Sequence, residues 1–393
     1  MTQTAIPTIT DTDQLAAFCA RLAQAPYVTV DTEFIREKTY FAQLCLIQAA
    51  CDEEAAVIDP LAPGIDLAPF YALLNEANAL KVFHAARQDV EIFYHATGQA
   101  PNRLFDTQVA AMVCGFGESV GYQTLVAKYA KKRLDKAARF TDWARRPLSP
   151  RQLGYALDDV LYLRDVYQGL SQQLARNERL DWLEAEMAIL TAPETYRVDP
   201  GNAWRRIKHR SRDPEFLGRL KALAAWREDE ACTRDLPRNR VLRDENLLEI
   251  ASHPPQDAAG LATMRGLSEK FAHGHQGARL LAALAAATAL PKAEMPVDER
   301  PGGAPVKDNL LSDLLKLLLK IRCREAGVAP KLVASTSDIE RLAREDAPDI
   351  PALQGWRHAL FGADAMKVKS GELVFQADGD GVKLLSAAIS APE

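Results

Sequence analysis

Cysteine is sparse and unpaired in this sequence. Cys19, Cys45, Cys51, Cys114, Cys232 and Cys323 are scattered, with no C-x-x-C pair, and read as free thiols of a reducing compartment rather than a disulfide framework. H-E-x-x-H, a Walker phosphate loop and G-x-G-x-x-G are also missing, so no nucleotide cofactor is expected. The longest apolar run, "LLAALAAATAL" at 280–290, is too short to span a bilayer, and no membrane partner is expected. The first residues, "MTQTAIPTITDTDQ", have neither the basic start nor the apolar stretch of a secretory leader, so a cytoplasmic location is expected. A surplus of positive charge is lacking too. A net charge of −5 argues against a protein that coats nucleic acid with its whole surface, but leaves room for a local basic track.

What is there is an ordinary globular composition spread over 393 residues, enough for two or three domains. Up to about residue 191 the patterning alternates between strand and helix. "YVTVDT" (27–32), "QLCLIQAA" (43–50), "AAVIDP" (55–60), "LKVFH" (80–84) and "RLFDT" (103–107) read as strands, the second and third as an antiparallel meander. This predicts an α/β domain at 1–191, a mixed sheet with helices on its faces. Residues 192–212 read as a connector and 213–290 as an all-α helical domain. Residues 291–309, rich in Pro and Gly, read as a linker, and 310–393 as a second helical region ending in a small hairpin.

Two carboxylates end the first long strand. Asp31 and Glu33 share a strand face, roughly 6–7 Å apart, and their repulsion there costs about 2–3 kcal/mol. Water, a nearby cation or a metal ion can offset it. Asp89 stands in the first turn of the helix after "VFH", where an acid also favours the helix dipole. Tyr155 and Asp159 are i and i+4 on one helix face. Each pattern alone is common on solvated surfaces. Together Asp31, Glu33, Asp89 and Asp159 are a hard-oxygen set suited to Mg²⁺ or Mn²⁺. Two such cations roughly 3.5–4 Å apart clamp the attacking and leaving oxygens of a phosphodiester.

These segments resemble the motifs of the DEDD superfamily of 3′→5′ exonucleases, in its tyrosine-containing branch. Asp31-Thr32-Glu33 matches D-x-E, Asp89 with His84 matches H-x-x-x-x-D, and Tyr155 to Asp159 matches Y-x-x-x-D. "DTEF...TYFAQLCLIQ", "LDKAARFTDWARRPLSPRQLGYALDDVLYL" and "RDLPRNRVLRDENLLEIA" are similar to the ribonuclease D family. The resemblance implies a ribonuclease H-like exonuclease fold followed by one or two HRDC-like helical domains, the second diverged. Where the family often has Ser-Glu before the second-motif Asp, this chain has Arg87-Gln88. The family implies that Asp31 bridges two cations, that Glu33 and Asp159 complete the site that activates water, and that Asp89 holds the second cation. Tyr155 orients the attacking water. A free tyrosine titrates near 10, so positioning outweighs proton abstraction. His84, Thr32 and Phe34 are supporting residues of the same motifs.

A basic track leads into the Tyr155 motif. Lys128, Lys131, Lys132, Arg133, Lys136, Arg139, Arg145 and Arg146 alternate with Tyr129, Phe140 and Trp143, a composition suited to a single strand. Trp143 reads as core. A second cluster, Arg205, Arg206, Lys208, Arg210 and Arg212, reads equally as a charged linker. The resulting expectation is a monomeric, metal-dependent 3′→5′ exoribonuclease acting on transfer-RNA precursors and other small structured RNAs, releasing nucleoside 5′-monophosphates. A DNA exonuclease with the same site stays open, because nothing in the motifs reads the 2′-hydroxyl. A non-catalytic RNA-binding scaffold is the other alternative. Every motif residue precedes Thr191, so a chain ending there is expected to cleave short strands.

Overall fold

The computed structural model describes residues 6–134, 141–297 and 310–387. They fall into two compact units. Residues 6–33, 45–134, 141–195 and 310–387 form one, and 34–44 and 196–297 the other.

The first unit is built on a six-stranded mixed sheet. Its strands are β1 (Thr8–Ile9), β2 (Tyr27–Ile35), β3 (Gln43–Ala50), β4 (Ala55–Ile58), β5 (Leu80–Phe83) and β6 (Leu104–Asp106), in the order β1-β4-β3-β2-β5-β6. β3 and β4 are antiparallel, as the meander predicts. β1 runs parallel to β4, and β2, β5 and β6 run parallel to one another. Tyr27, Val28, Thr29 and Val30 are all buried, because β2 lies inside the sheet and helices cover it. The Thr29 hydroxyl reaches one of them, at the Val160 carbonyl 2.9 Å away.

That helix, Pro150–Arg176, opens on a Ser149–Gln152 capping box with proline in its first turn. Ala156, Val160, Leu163, Val166, Leu170 and Leu174 are its buried stripe, at helical spacing. The turn after β5 is held differently. Ala85 adopts φ +60°, and the buried Asp106 carboxylate accepts the N–H groups of Ala85 and Ala86 at 3.0 and 2.9 Å. It also caps the next helix through Gln108 and Val109. Burial pushes the Asp106 carboxyl up, against the pull of those four hydrogen bonds.

Residues 310–387 have a core of their own, centred on Leu315, Leu318, Ile339, Leu342 and Phe361. They end in the expected hairpin, Leu373–Asp378 against Gly381–Ser386. They also pack on the sheet domain within the same unit. Trp182 stacks on Trp356 with ring centres 4.3 Å apart, Arg357 pairs with Glu186, and the Ala329 N–H donates to the Met112 carbonyl at 3.0 Å. Gly115 sits at φ +83°, where a Cβ would meet the Gly327 carbonyl oxygen at 2.6 Å, so only glycine fits.

The second unit packs around the Pro214–Thr233 helix, with Leu217, Leu220, Leu223 and Trp204 in its core. Tyr40 belongs to that core. Its hydroxyl donates to Glu228 at 2.5 Å, Arg238 pairs with the same carboxylate, and Asp235 accepts the N–H groups of Tyr40 and Phe41. The compact units therefore do not follow the linear order expected from composition. Residues 34–44 leave the sheet domain to join the helical one, and 310–387 lie in the unit of the sheet. Of the expected linker, residues 298–309 lie outside the described residues.

Candidate active site

Asp31 and Glu33 project from β2, and Asp159 projects from the Pro150–Arg176 helix toward them. One carboxylate oxygen from each lies within 4.8 Å of the others. Asp89, in the first turn of the Arg87–Thr97 helix, is buried and accepts the Thr32 hydroxyl. Tyr155 donates its hydroxyl to the Asp159 carboxylate. Asp31, Tyr155 and Asp159 line a cleft of about 550 Å³ with His84, Gln108 and Tyr122. The three acidic motifs thus converge, and Thr32 and His84 stand beside them. Phe34 is half-buried at the point where the chain enters the second unit.

The electrostatics are those of an unneutralised acid cluster. Burial, then the charges of Asp159, Asp89 and Glu33, push Asp31 well above the usual carboxylate range. Burial and the charges of Asp159 and Asp89 push Glu33 up to about 8. Burial likewise takes Asp89 and Asp159 to about 7. Among the described residues no Lys or Arg forms an ion pair with any of the four. Oxygen donors at this separation, each costly to ionise alone, fit a hard divalent cation.

A stability prediction follows from the sign of these shifts. A carboxyl held above its ordinary range binds a proton in the folded protein at a pH where the unfolded chain has released it. Without metal, stability is therefore expected to fall as pH rises from about 4, the ordinary carboxyl value, through the 7–8 region of these groups. A divalent cation would bind the ionised, folded site, so added Mg²⁺ is expected to raise Tm more at pH 8 than at pH 6. Thermal melts at both pH values, with Mg²⁺ and with EDTA, check this. A magnesium shift that does not grow with pH contradicts it.

The basic track divides. Lys128, Lys131, Lys132, Arg133 and Arg145 are exposed, with the Lys128 ammonium 4.0 Å over the Phe116 ring. Lys136 and Arg139 lie outside the described residues. Trp143 is core, 3% exposed, and tilts against the Tyr155 ring. Arg146 is a correction. Its guanidinium forks onto Asp59, with both contacts at 2.7 Å, and donates to the carbonyls of Cys45, Trp143 and Arg145. All five of its donors are engaged, so it fastens the loop before the Tyr155 helix and has none left for phosphate. Arg146→Ala is expected to cost about 2–3 kcal/mol of stability in denaturant titrations and to leave the salt dependence of RNA binding unchanged. Loss of RNA affinity at full stability would reverse that assignment.

Sequence patterning missed Tyr122. Its hydroxyl donates to the backbone carbonyls of Asp159 and Asp158 at 2.8 and 3.1 Å, which steadies the turn carrying the third motif. Burial and the charges of Asp159 and Asp31 push its phenol well above the usual range, so it stays a donor. Nothing in its local sequence marks it. Asp106, followed by Thr107 at a strand end, carries the ordinary signal of a helix cap.

A 3′-5′ exonuclease family model matches residues 6–175, and an HRDC domain model matches residues 216–284. The chain is 49% identical to a ribonuclease D of Gluconacetobacter diazotrophicus over 379 residues, 96% of each chain. It is 51% identical to one of Acidiphilium cryptum over 378 residues, again 96% of each. Its fold overlays the crystal structure of Escherichia coli RNase D, described as an exoribonuclease involved in structured RNA processing. There the TM-score is 0.79 at 31% identity, covering 94% of this chain and 99% of that one. With the first and third acidic motifs brought together at the cleft, Asp89 held beside them through Thr32, and relatives at this identity along nearly its whole length, the chain belongs to the ribonuclease D family of 3′→5′ exoribonucleases.

Proposed function

We propose that the enzyme trims the 3′ ends of transfer-RNA precursors and other small structured RNAs one nucleotide at a time, using two divalent cations, Mg²⁺ or Mn²⁺. The observation that supports this most directly is the convergence of Asp31, Glu33 and Asp159 within 4.8 Å, with Tyr155 on Asp159. Asp31 would hold both cations, Glu33 and Asp159 one, and Asp89 the other. When bound, the cations lower the pKa of water and neutralise charge on the phosphate. Thr32 fixes the Asp89 carboxylate, and Tyr122 steadies the helix turn behind Asp159. Tyr155 donates to Asp159, and its oxygen keeps lone pairs toward the cleft that hold and orient a water for attack on the terminal phosphodiester. The exposed cations Lys128, Lys131, Lys132, Arg133 and Arg145 carry the strand into the cleft, and Lys136 and Arg139 extend the same track. The exonuclease chemistry belongs to 1–191, and the HRDC-like regions at 213–290 and 310–393 hold RNA upstream of the cut. The enzyme works as a cytoplasmic monomer, and no membrane takes part.

End-labelled precursor transfer RNA, an unstructured RNA and a single-stranded DNA, each incubated with Mg²⁺, Mn²⁺ or EDTA and resolved at single-nucleotide length, test this. Stepwise loss from the 3′ end of both RNAs, dependent on metal and a free 3′-hydroxyl, is expected. Faster loss from the DNA would favour the other polymer as substrate.

A further inference from the structure

His84 stands in the cleft and has no part in the chemistry above. Its Nδ1 lies 2.9 Å from the Thr107 hydroxyl oxygen. That hydroxyl has a single hydrogen, which it donates to the Phe83 carbonyl at 3.0 Å. Thr107 therefore accepts at its contact with His84, and the imidazole proton sits on Nδ1. Burial takes the imidazolium down to about 4, so the ring is neutral at physiological pH and Nε2 presents a bare lone pair. Among the described residues none donates to that nitrogen. The ring rests against Tyr122, centres 5.4 Å apart, and lines the cleft together with Asp31 and Tyr155.

Sheet register says what can come within reach. β2 and β5 are parallel, with Thr29 opposite Val82. β5 ends at Phe83, and His84, the next residue, stands on the wall of the cleft that Asp31 of the neighbouring strand also lines. On the reading of the cleft as the exonuclease site the scissile phosphate would lie at Asp31, so His84, on the wall of the same cleft, would face the 3′-terminal nucleotide. Phosphate oxygens are acceptors and are repelled by a lone pair, whereas sugar hydroxyls are donors. The 2′-hydroxyl is the sugar donor that RNA has and DNA lacks.

We propose that Nε2 of His84, locked as an acceptor by Thr107, accepts a hydrogen bond from the 2′-hydroxyl of the 3′-terminal nucleotide and so selects RNA ends over DNA ends. His84 is then a specificity residue of the exoribonuclease, and the assignment rests on reading the cleft as the exonuclease site. Donation to a buried acceptor discriminates strongly, because an analogue without the hydroxyl leaves the acceptor unpaired.

The test uses the full chain with Mg²⁺ and one RNA sequence ending in a ribo or a 2′-deoxy nucleotide. Release of that last nucleotide is timed. The wild type is expected to favour the ribo end over the 2′-deoxy end about tenfold in kcat/KM. His84→Phe keeps a ring against Tyr122 and removes the acceptor. It is expected to slow the ribo end about tenfold, leave the 2′-deoxy end within about twofold, and so erase the preference. A loss of folding or of metal binding would slow both ends alike and leave the ratio standing, so the ratio isolates the contact. Should His84→Phe not fold, His84→Asn, which reaches Thr107 but has no atom at the Nε2 position, carries the same test. An unchanged ratio in the variant overturns the proposal, as does a wild type indifferent to the 2′-hydroxyl. Failure to shorten the ribo end would sink the reading of the cleft itself, and this assignment with it.

Discussion

Asp31→Asn is expected to lower turnover by about a thousandfold or more while RNA still binds. Asp31 is the carboxylate on which the charges of Asp159, Asp89 and Glu33 all bear, so it is the group through which a cation would draw the cluster together. Asparagine keeps the shape and one oxygen but supplies no charge. The basic surface at Lys128, Lys131, Lys132, Arg133 and Arg145 is untouched, so affinity at a given salt should change less than about threefold, because phosphate contacts set that term. Stability should move the opposite way to activity. Removing one of four mutually repelling acids relieves strain in the metal-free protein, so Tm without metal should rise, as it does where function holds a site off its stability optimum. Turnover, RNA affinity in EDTA and metal-free Tm form the measurement. Near-normal turnover would sink the metal assignment, and a lower Tm would mean that Asp31 is held by partners rather than opposed by its neighbours.

The fold and the cleft were legible where their signals are local. β2 shows apolar alternation broken by two acids, and Tyr155 and Asp159 show the i, i+4 spacing that put them on one side of the Pro150–Arg176 helix. β1, two residues long, has no period to detect. What stayed hidden depends on partners distant in the chain. Asp106 shapes the turn at Ala85 and Ala86 from about twenty residues away. Arg146 looks like one more cation of a basic run until Asp59 and the Cys45 carbonyl are placed around it. The proton on His84 is set by Thr107, whose own proton is set by Phe83. Charge pattern cannot separate a cation that meets solvent from one whose five donors are already taken.

The same long-range packing changes what a short chain should do. All five motif residues precede Thr191, which on sequence alone predicts that a chain ending there still cleaves. The structure predicts that it loses turnover by about a hundredfold or more, the scale of effect that a misplacement of about 1 Å produces. β2 carries Asp31 and Glu33 and runs directly into residues 34–44, which belong to the helical unit. Tyr40 is 4% exposed there, and its hydroxyl, its N–H and that of Phe41 are taken by Glu228 and Asp235. A chain ending near Thr191 strips all of these partners and exposes the Trp182 and Met112 surfaces that 310–387 cover. Burying Tyr40 is worth about 2 kcal/mol and each lost hydrogen bond about 1 kcal/mol, enough to release the segment that follows Glu33. A chain ending near Leu290 keeps the packing of Tyr40 and is expected to retain more turnover than the shorter one. Tyr40→Ala in the full chain isolates the segment from gross truncation, and is expected to lower turnover about tenfold with the helical unit still folded. Turnover on a short RNA at saturation, with melting by circular dichroism, compares the four proteins. Full turnover from the folded chain ending near Thr191 would show that residues 34–44 hold the catalytic strand unaided.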